Sequence, residues 1–188
     1  MIKKINIIII LLVSLFSLYF VIIKDRSFVY IMKDVSIILT INGLYIIQKL
    51  FKIKIDERLN LIYIIFIFIA HFLGVIVNLY KQIYWFDKFV HFLSGIISSV
   101  FAIYILFMVK IKKNIAFNIL FIISFSMLIA SCWEIFEYIV SCIFNVDPQR
   151  IKLTGVSDTM GDIIVAFLGS ILVAIYYYFN NRNNYSFV

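Results

Sequence analysis

Residues 114–133, NIAFNILFIISFSMLIASCW, decide the fold because they contain no charged side chain. An α-helix rises about 1.5 Å per residue, so about 20 apolar residues cross the hydrocarbon layer of a bilayer, which is roughly 30 Å thick. This stretch is long enough for one such crossing. The sequence therefore predicts a transmembrane helix here.

Comparable apolar runs recur along the whole chain of 188 residues and are separated by short polar segments. The sequence is 64% hydrophobic and 14% charged, contains one proline, and has a mean hydropathy of +1.08. Soluble domains do not use apolar side chains at this level. We predict an all-α integral membrane protein, a bundle of about six transmembrane helices that forms a single polytopic domain over residues 1–188. The predicted spans are residues 5–23, 28–48, 59–80, 88–109, 116–143 and 159–179.

The N-terminal run resembles a signal peptide in the order of its regions. Lys3 and Lys4 precede an uncharged run from Ile5 to Ile23. That run is too long for the apolar region of a signal peptide, and no small-residue cleavage site follows it. We expect it to stay on the mature protein as the first span.

The formal net charge of +7 reflects membrane topology rather than a nucleic-acid partner, because Lys and Arg lie mainly between the apolar runs, where they meet anionic headgroups. With a cytoplasmic N-terminus, the cytoplasmic side carries most of the 17 basic residues: Lys3, Lys4, Lys49, Lys52, Lys54, Arg58, Lys110, Lys112, Lys113 and Arg182. This bias predicts a multi-pass protein with both termini in the cytoplasm. Its expected partner is the lipid bilayer, with no nucleic acid.

Ionisable residues lie where the apolar pattern disfavours them, in three pairs. Asp87 and His91 open the fourth span with i, i+4 spacing, which places both on one helix face. The other pairs are Glu134 with Glu137, late in the fifth span, and Asp158 with Asp162, which open the sixth. Successive spans run in opposite directions, so all three pairs reach one depth, near the extracytoplasmic surface. His71, Asn78 and Asp34 are further candidates for the same region.

Carboxylates gathered in this way repel one another unless they are protonated, ion-paired or bound to a metal. A bound divalent cation is the simplest way to hold them together. An oxygen-rich set with one nitrogen suits Mg, Mn or Ca, and Zn fits if His91 binds with two or three carboxylates. The predicted metal ligands are Asp87, His91, Glu134, Glu137, Asp158 and Asp162, and the predicted catalytic residues are Glu134 and Glu137.

Structural explanations exist for the same residues. Asp158 and Asp87 suit helix N-caps, and Asp162 suits a variant of the capping box that begins at Thr159. The Lys88 ammonium can extend to the headgroups, or it can pair with Glu134 or Glu137, as Arg150 can. His71 stands alone in its span, and a hydrogen-bonded packing role suits it better than a ligand role.

Three motifs resemble a known family. They are Asp87-Lys88-Phe89-Val90-His91-Phe92, Trp133-Glu134-Ile135-Phe136-Glu137, and the run that starts Asp158-Thr159-Met160-Gly161-Asp162 and extends to Gly169. In order and position they resemble the uncharacterised YjdF-type inner-membrane proteins of bacteria. The opening Asp-Lys-x-x-His step is also similar, more distantly, to that of VanZ-like proteins. The resemblance implies a bacterial plasma (inner) membrane and no established activity.

Three functions are compatible with the pattern. The first is a divalent-cation site that acts on a lipid-linked envelope substrate, with the metal activating water and one Glu as the base. The second is a non-catalytic structural or lipid-binding membrane module. The third is a proton- or cation-coupled transporter, which requires a polar path toward the cytoplasm that the inner halves of spans four to six hardly offer.

Overall fold

The computed structural model describes residues 1–23, 28–109, 114–149 and 155–181, and all of their regular secondary structure is helical. The chain forms two compact units, Met1–Phe86 and Asp87–Val188. The α-helices are α1 (Ile2–Ile23), α2 (Phe28–Phe51), α3 (Glu57–Ile67), α4 (Leu79–Gln82), α5 (Phe86–Val109), α6 (Ile115–Phe144) and α7 (Ser157–Asn181). A π-helical segment, Phe68–Ile76, continues directly from α3.

Five stretches of helix are long and apolar enough to cross a membrane in the part of the chain that the structure describes: Ile2–Tyr19, Glu57–Ile76, Phe86–Val109, Ile115–Phe144 and Ser157–Asn181. The apolar portion of α2, Val35–Phe51, is shorter, although α2 itself has 24 residues. Large apolar side chains such as Leu120, Leu172 and Tyr176 are exposed on these helices, as lipid-facing residues are. The predicted all-helical membrane bundle of about six spans is therefore confirmed.

Isoleucine and valine side chains join α1, α2 and α3 in the first unit. The buried core consists of Ile10, Val13, Ile37, Ile41, Ile64 and Ile67. Each helix contributes two of these residues, spaced three or four positions apart, so each presents one apolar stripe to the other two. This packing makes α1 an integral part of the unit.

A buried polar network lies at the end of this unit where α1 and α3 begin. The Asn6 amide donates to Glu57 Oε2 at 2.9 Å and to the Glu57 carbonyl at 3.0 Å. Tyr45 OH, 2.7 Å away, and Asn60 Nδ2, 3.2 Å away, donate to the same carboxylate oxygen. The network extends to Gln48, which donates to Asn60 Oδ1 at 3.1 Å. These bonds tie three helices together through one carboxylate.

Removing the Asn6 amide should weaken the first unit. We expect Asn6→Ala to lower the free energy of unfolding in detergent by about 1 to 2 kcal/mol, because hydrogen bonds to a charged group are stronger than average. Asn42→Ala is the matched control, since the Asn42 amide donates to the Ile38 carbonyl of its own helix. Denaturant unfolding followed by circular dichroism measures both. Equal losses in the two variants would contradict the prediction.

The third predicted span, residues 59–80, is not regular α-helix throughout. The α-helix changes to π-helix at Phe68, and the segment ends at Ile76. Asn78 then adopts left-handed backbone angles, φ 69° and ψ 32°, before the short α4. Asparagine tolerates this conformation better than most residues. Hydropathy alone does not register such a break, because the residues on both sides of it remain apolar.

Small residues bring α5 and α7 of the second unit into backbone contact. A Cβ atom added to Gly95 would overlap the carbonyl oxygen of Ala166, and one added to Gly169 would overlap the carbonyl oxygen of Phe92. Ser126 of α6 donates to the Gly95 carbonyl at 3.1 Å and accepts from Ser98 Oγ at 2.8 Å. The small-residue pattern of spans four and six therefore serves close helix packing.

Candidate functional site: an acidic and histidine cluster

The second unit brings three helices together at one polar end. Asp87, Lys88 and His91 lie in the first two turns of α5, and Glu134 lies two thirds of the way along α6. Asp158 and Asp162 lie in the first two turns of α7. Gly95 is one turn beyond His91, so the close approach of α5 and α7 holds their polar residues side by side.

Lys88 links α5 to α7 through hydrogen bonds that match the three donors of its ammonium group. Its Nζ lies 2.8 Å from Asp158 Oδ1, 3.0 Å from the Asp158 carbonyl oxygen and 2.9 Å from Asp162 Oδ1. Gly161 leaves room for it, since an added Cβ would lie 3.1 Å from Lys88 Cε. The proposed extension of Lys88 to the headgroups is therefore not what the structure shows.

His91 is the centre of the cluster. Its Nε2 lies 3.8 Å from Asp87 Oδ1, 3.8 Å from Asp162 Oδ1 and 3.9 Å from Glu134 Oε1. His91 and Asp162 are buried, with 7% and 4% of their surface exposed. Ligand atoms of Asp87, His91 and Asp162 all lie within 4.8 Å of one another, a grouping that can hold a metal ion.

The two carboxylate oxygens of Glu134 have different surroundings. Gln149 Nε2 donates to Glu134 Oε2 at 3.0 Å and to the Glu134 carbonyl at 3.0 Å. Glu134 Oε1 is buried and has no hydrogen-bond partner among the described residues. A buried carboxylate oxygen without a partner is rare and unfavourable. This oxygen is the one that faces His91.

Glu137 and Asp158 differ from the other predicted ligands. Glu137 accepts a hydrogen bond from the Trp133 indole at 3.1 Å and lies outside the three-residue ligand group. Asp158 is also outside that group. One of its carboxylate oxygens pairs with Lys88, and the other is buried without a hydrogen-bond partner in the described chain. The metal-ligand and catalytic roles of these two residues stay predictions.

Helix capping by Asp158, Asp162 or Asp87 stays an alternative. The α7 helix begins at Ser157, so Asp158 lies within its first turn, and its Oδ1 accepts a hydrogen bond from Lys88. Asp87 likewise follows the first residue of α5. The alternative pairing of Glu134 or Glu137 with Arg150 lies outside the described residues.

The other candidates named from the sequence are in the first unit. His71 lies in the π-helical segment, and Asn78 is the left-handed residue after it. The side chain of Asp34 lies outside the described residues. That any of the three joins the cluster stays a prediction.

Gln149 is the residue of the cluster that sequence reasoning missed. It lies beyond the end of α6, and hydropathy gives no reason to bring a loop residue back toward the middle of a span. The available signal was local. Asn145 suits a left-handed helix end, and Pro148 favours an extended residue before it, so the two together are typical of a chain reversal.

The helices and the cluster define a class: a multi-pass helical membrane protein with a buried group of carboxylates around one histidine. Within that class, the chain belongs to the family described as "Predicted membrane protein (DUF2238)", whose model matches residues 5–183. This is the family of the YjdF-type proteins, so the resemblance read from the three motifs is confirmed at the level of the family. The more distant likeness to VanZ-like proteins stays a prediction.

The chain is also similar to one curated protein of uncharacterised function. It is a protein from Thermotoga maritima that is 25% identical over 135 residues, which cover 69% of this chain and 67% of the relative. No solved structure matches the chain. The comparisons therefore establish that the chain belongs to a family of membrane proteins. Its chemistry must be inferred from the residues of the site.

Removing the Lys88 ammonium tests how strongly the cluster supports the fold. We expect Lys88→Met to lower the free energy of unfolding by about 2 kcal/mol, because two buried aspartates lose their cation. The expected loss is no larger because the Lys88 side chain is 33% exposed. Lys81→Met, at an exposed position in the first unit, is the control. Thermal unfolding in detergent without added metal measures both. If both variants unfold like the wild type, the cluster contributes little to stability.

Proposed function

We propose that the second unit binds a divalent cation through Asp87, His91 and Asp162. The observation that carries this proposal is the grouping of their ligand atoms within 4.8 Å, beside the unpartnered oxygen of Glu134. An acidic cluster alone is common without a metal. A buried carboxylate oxygen that faces the same imidazole and has no hydrogen-bond donor among the described residues is the additional feature that favours a cation.

The distances suit coordination after small side-chain rotations. Two ligands bound to one ion at about 2.1 Å lie no more than about 4.2 Å apart. The two His91 to aspartate distances, both 3.8 Å, already meet this limit. The His91 to Glu134 distance, 3.9 Å, does too. The three ligand atoms as a group lie within 4.8 Å of one another, so the carboxylates need only small rotations to reach a common ion.

The ligand types favour Zn²⁺ or Mn²⁺. One imidazole with two or three carboxylates is a set that Zn²⁺ uses, and Mn²⁺ accepts the same mixture of nitrogen and oxygen. Ca²⁺ prefers six to eight oxygen ligands, more than this group supplies. Mg²⁺ is less favoured because it usually keeps several of its waters.

The chemistry that suits such a site is the activation of a water molecule that attacks a lipid-linked envelope substrate. A divalent ion held by these residues would lower the pKa of a bound water, and a nearby carboxylate would act as the base. Of the two predicted catalytic residues, Glu134 has an oxygen toward His91 and suits a ligand role. Glu137 is therefore the proposed base. In this proposal the cluster lies in the outer leaflet of the plasma membrane, and both termini are cytoplasmic.

Metal content tests the proposal directly. The protein is purified in detergent, loaded separately with Zn²⁺ and Mn²⁺, freed of excess metal and measured by mass spectrometry. We expect about one equivalent of one of the two ions. A wild-type protein that is folded and retains neither ion after loading would contradict the proposed function.

A second candidate is a purely structural cluster held by internal ion pairs. The observation that favours it is Lys88, whose ammonium already neutralises part of the charge on Asp158 and Asp162. In that case no metal is retained and Lys88→Met destabilises the fold. The two candidates therefore differ in metal content, whereas both predict sensitivity at Lys88.

Transport is the least favoured function. It calls for polar groups that continue from the cluster through the second unit. The pairs Ser98–Ser126 and Asn118–Tyr177 are buried there. Ser126 and Asn118 are two turns apart on α6, about 12 Å. At this separation the two pairs are not bonded directly to each other.

A further inference from the structure

Gln149 is buried although it lies in a loop. Only 6% of its surface is exposed, and it follows the last residue of α6, Phe144, by five positions. A buried amide is unfavourable unless its hydrogen-bonding groups find partners. Gln149 finds them on Glu134, which precedes it by 15 positions.

The chain between α6 and Gln149 must turn back along the helix to make this contact. Glu134 and Phe144 are ten positions apart, a rise of about 15 Å. The five residues from Asn145 to Gln149 reach at most about 17 Å when extended. Asn145 provides the reversal with left-handed angles of φ 52° and ψ 40°. A return segment of this length is therefore sufficient to bring Gln149 to Glu134.

The two hydrogen bonds fix the orientation of the Glu134 carboxylate. One amide nitrogen donates to the backbone carbonyl and to Oε2 of the same residue, each at 3.0 Å. This arrangement ties the carboxylate to its own backbone and restricts its rotation. The other oxygen, Oε1, is left 3.9 Å from His91 Nε2.

The chemistry of the donor matters as much as its position. An arginine or lysine at this place would neutralise the carboxylate, and a cation would then bind Glu134 weakly. A neutral amide orients the carboxylate and leaves its negative charge available. Hydrogen-bond partners behind metal ligands act in this way, and their loss commonly lowers metal affinity by about 10- to 100-fold.

We propose that Gln149 is a positioning residue that makes Glu134 the fourth ligand of the cation site, alongside Asp87, His91 and Asp162. The inference rests on the proposed function, since it assigns a ligand to the same site. It also assigns a role to the segment between α6 and α7, which the three sequence motifs do not include.

Co²⁺ is the probe that tests this role, because its visible absorption depends on the number and type of its ligands. We expect Gln149→Met, similar in length but without a donor, to lower Co²⁺ affinity about tenfold and to change the absorption spectrum. Gln82→Met is the matched control, since Gln82 is exposed and donates to the Val77 carbonyl in the first unit. It should leave both quantities unchanged. Gln149→Asn, one methylene shorter, gives the same comparison if the methionine variant does not fold.

A double-variant comparison separates positioning from loop anchoring. Glu134→Gln removes the charged ligand and retains an oxygen that accepts from Gln149. If Gln149 acts through Glu134, adding Gln149→Met to Glu134→Gln should change Co²⁺ affinity little further. A loop anchor that acts independently would give additive losses and would overturn the inference.

The outcomes distinguish this inference from the proposed function. A folded wild-type protein that does not bind Co²⁺, Zn²⁺ or Mn²⁺ contradicts the cation site, and the inference with it. A wild-type protein that binds Co²⁺, with an unchanged affinity and spectrum in both Gln149 variants, contradicts the role of Gln149 alone.

Discussion

Replacement of His91 by glutamine is expected to abolish divalent-cation binding under conditions in which the wild-type protein binds about one equivalent. His91 supplies the only nitrogen of the proposed ligand group, and its Nε2 lies within 3.9 Å of three carboxylates. Removing it leaves carboxylates that repel one another and hold an ion weakly. We expect the affinity for Zn²⁺ to fall by about 100-fold or more, measured by competition with a chelating dye.

The chain offers an internal control for this experiment. Its only other histidine is His71, which lies in the π-helical segment of the first unit. His71→Gln makes the same chemical change and should leave Zn²⁺ affinity as in the wild type. Circular dichroism verifies that both variants retain their helices. If His71→Gln lowers the affinity and His91→Gln does not, the cation site has been assigned to the wrong unit.

Replacement of Gly95 by valine is expected to disrupt the second unit. The added Cβ would overlap the carbonyl oxygen of Ala166, which is backbone and cannot rotate away. The helices α5 and α7 must then separate, and the Lys88 bridge to Asp158 and Asp162 separates with them. Overpacking of this kind costs about 3 kcal/mol. A large loss of folded, monodisperse protein in size-exclusion chromatography should follow.

Ala116→Val is the control for this prediction, because residue 116 is exposed on α6 and the added methyl groups face outward. We expect it to purify and unfold like the wild type. Gly95→Ala should be intermediate, since it adds the Cβ atom alone. Unaltered unfolding of Gly95→Val would show that the close approach of α5 and α7 is not required for the fold.

Much of the fold follows from hydropathy, and part of the site follows from helix geometry. The uncharged run that ends at Trp133 predicts α6, and the i, i+4 spacing of Asp87 and His91 predicts that they share a face. Alternating span direction then predicts that the three motifs meet at one depth. The structure brings Asp87, His91, Glu134 and Asp162 together as this reasoning requires.

The partners of the carboxylates could not be predicted in the same way. Which side chain Lys88 contacts depends on how α5 and α7 are rotated about their axes, and apolar runs do not fix that rotation. The contact of Gln149 with Glu134 depends on a chain reversal at Asn145. The π-helical segment around His71 leaves the apolar pattern intact, so hydropathy does not reveal it. These details depend on helix packing and on local backbone turns, whereas the spans follow from composition.

The bridge between Lys88 and Asp158 also constrains how the protein is made. The two residues are 70 positions apart, so α5 and α6 are synthesised before the aspartates of α7 exist. During that interval Lys88 lacks its acceptors, and Glu134 lacks Gln149 until α6 has been completed. Nascent chains that stop before α7 therefore expose ionisable groups that the finished protein buries. We expect such chains to be cleared by proteolysis more readily than the finished protein.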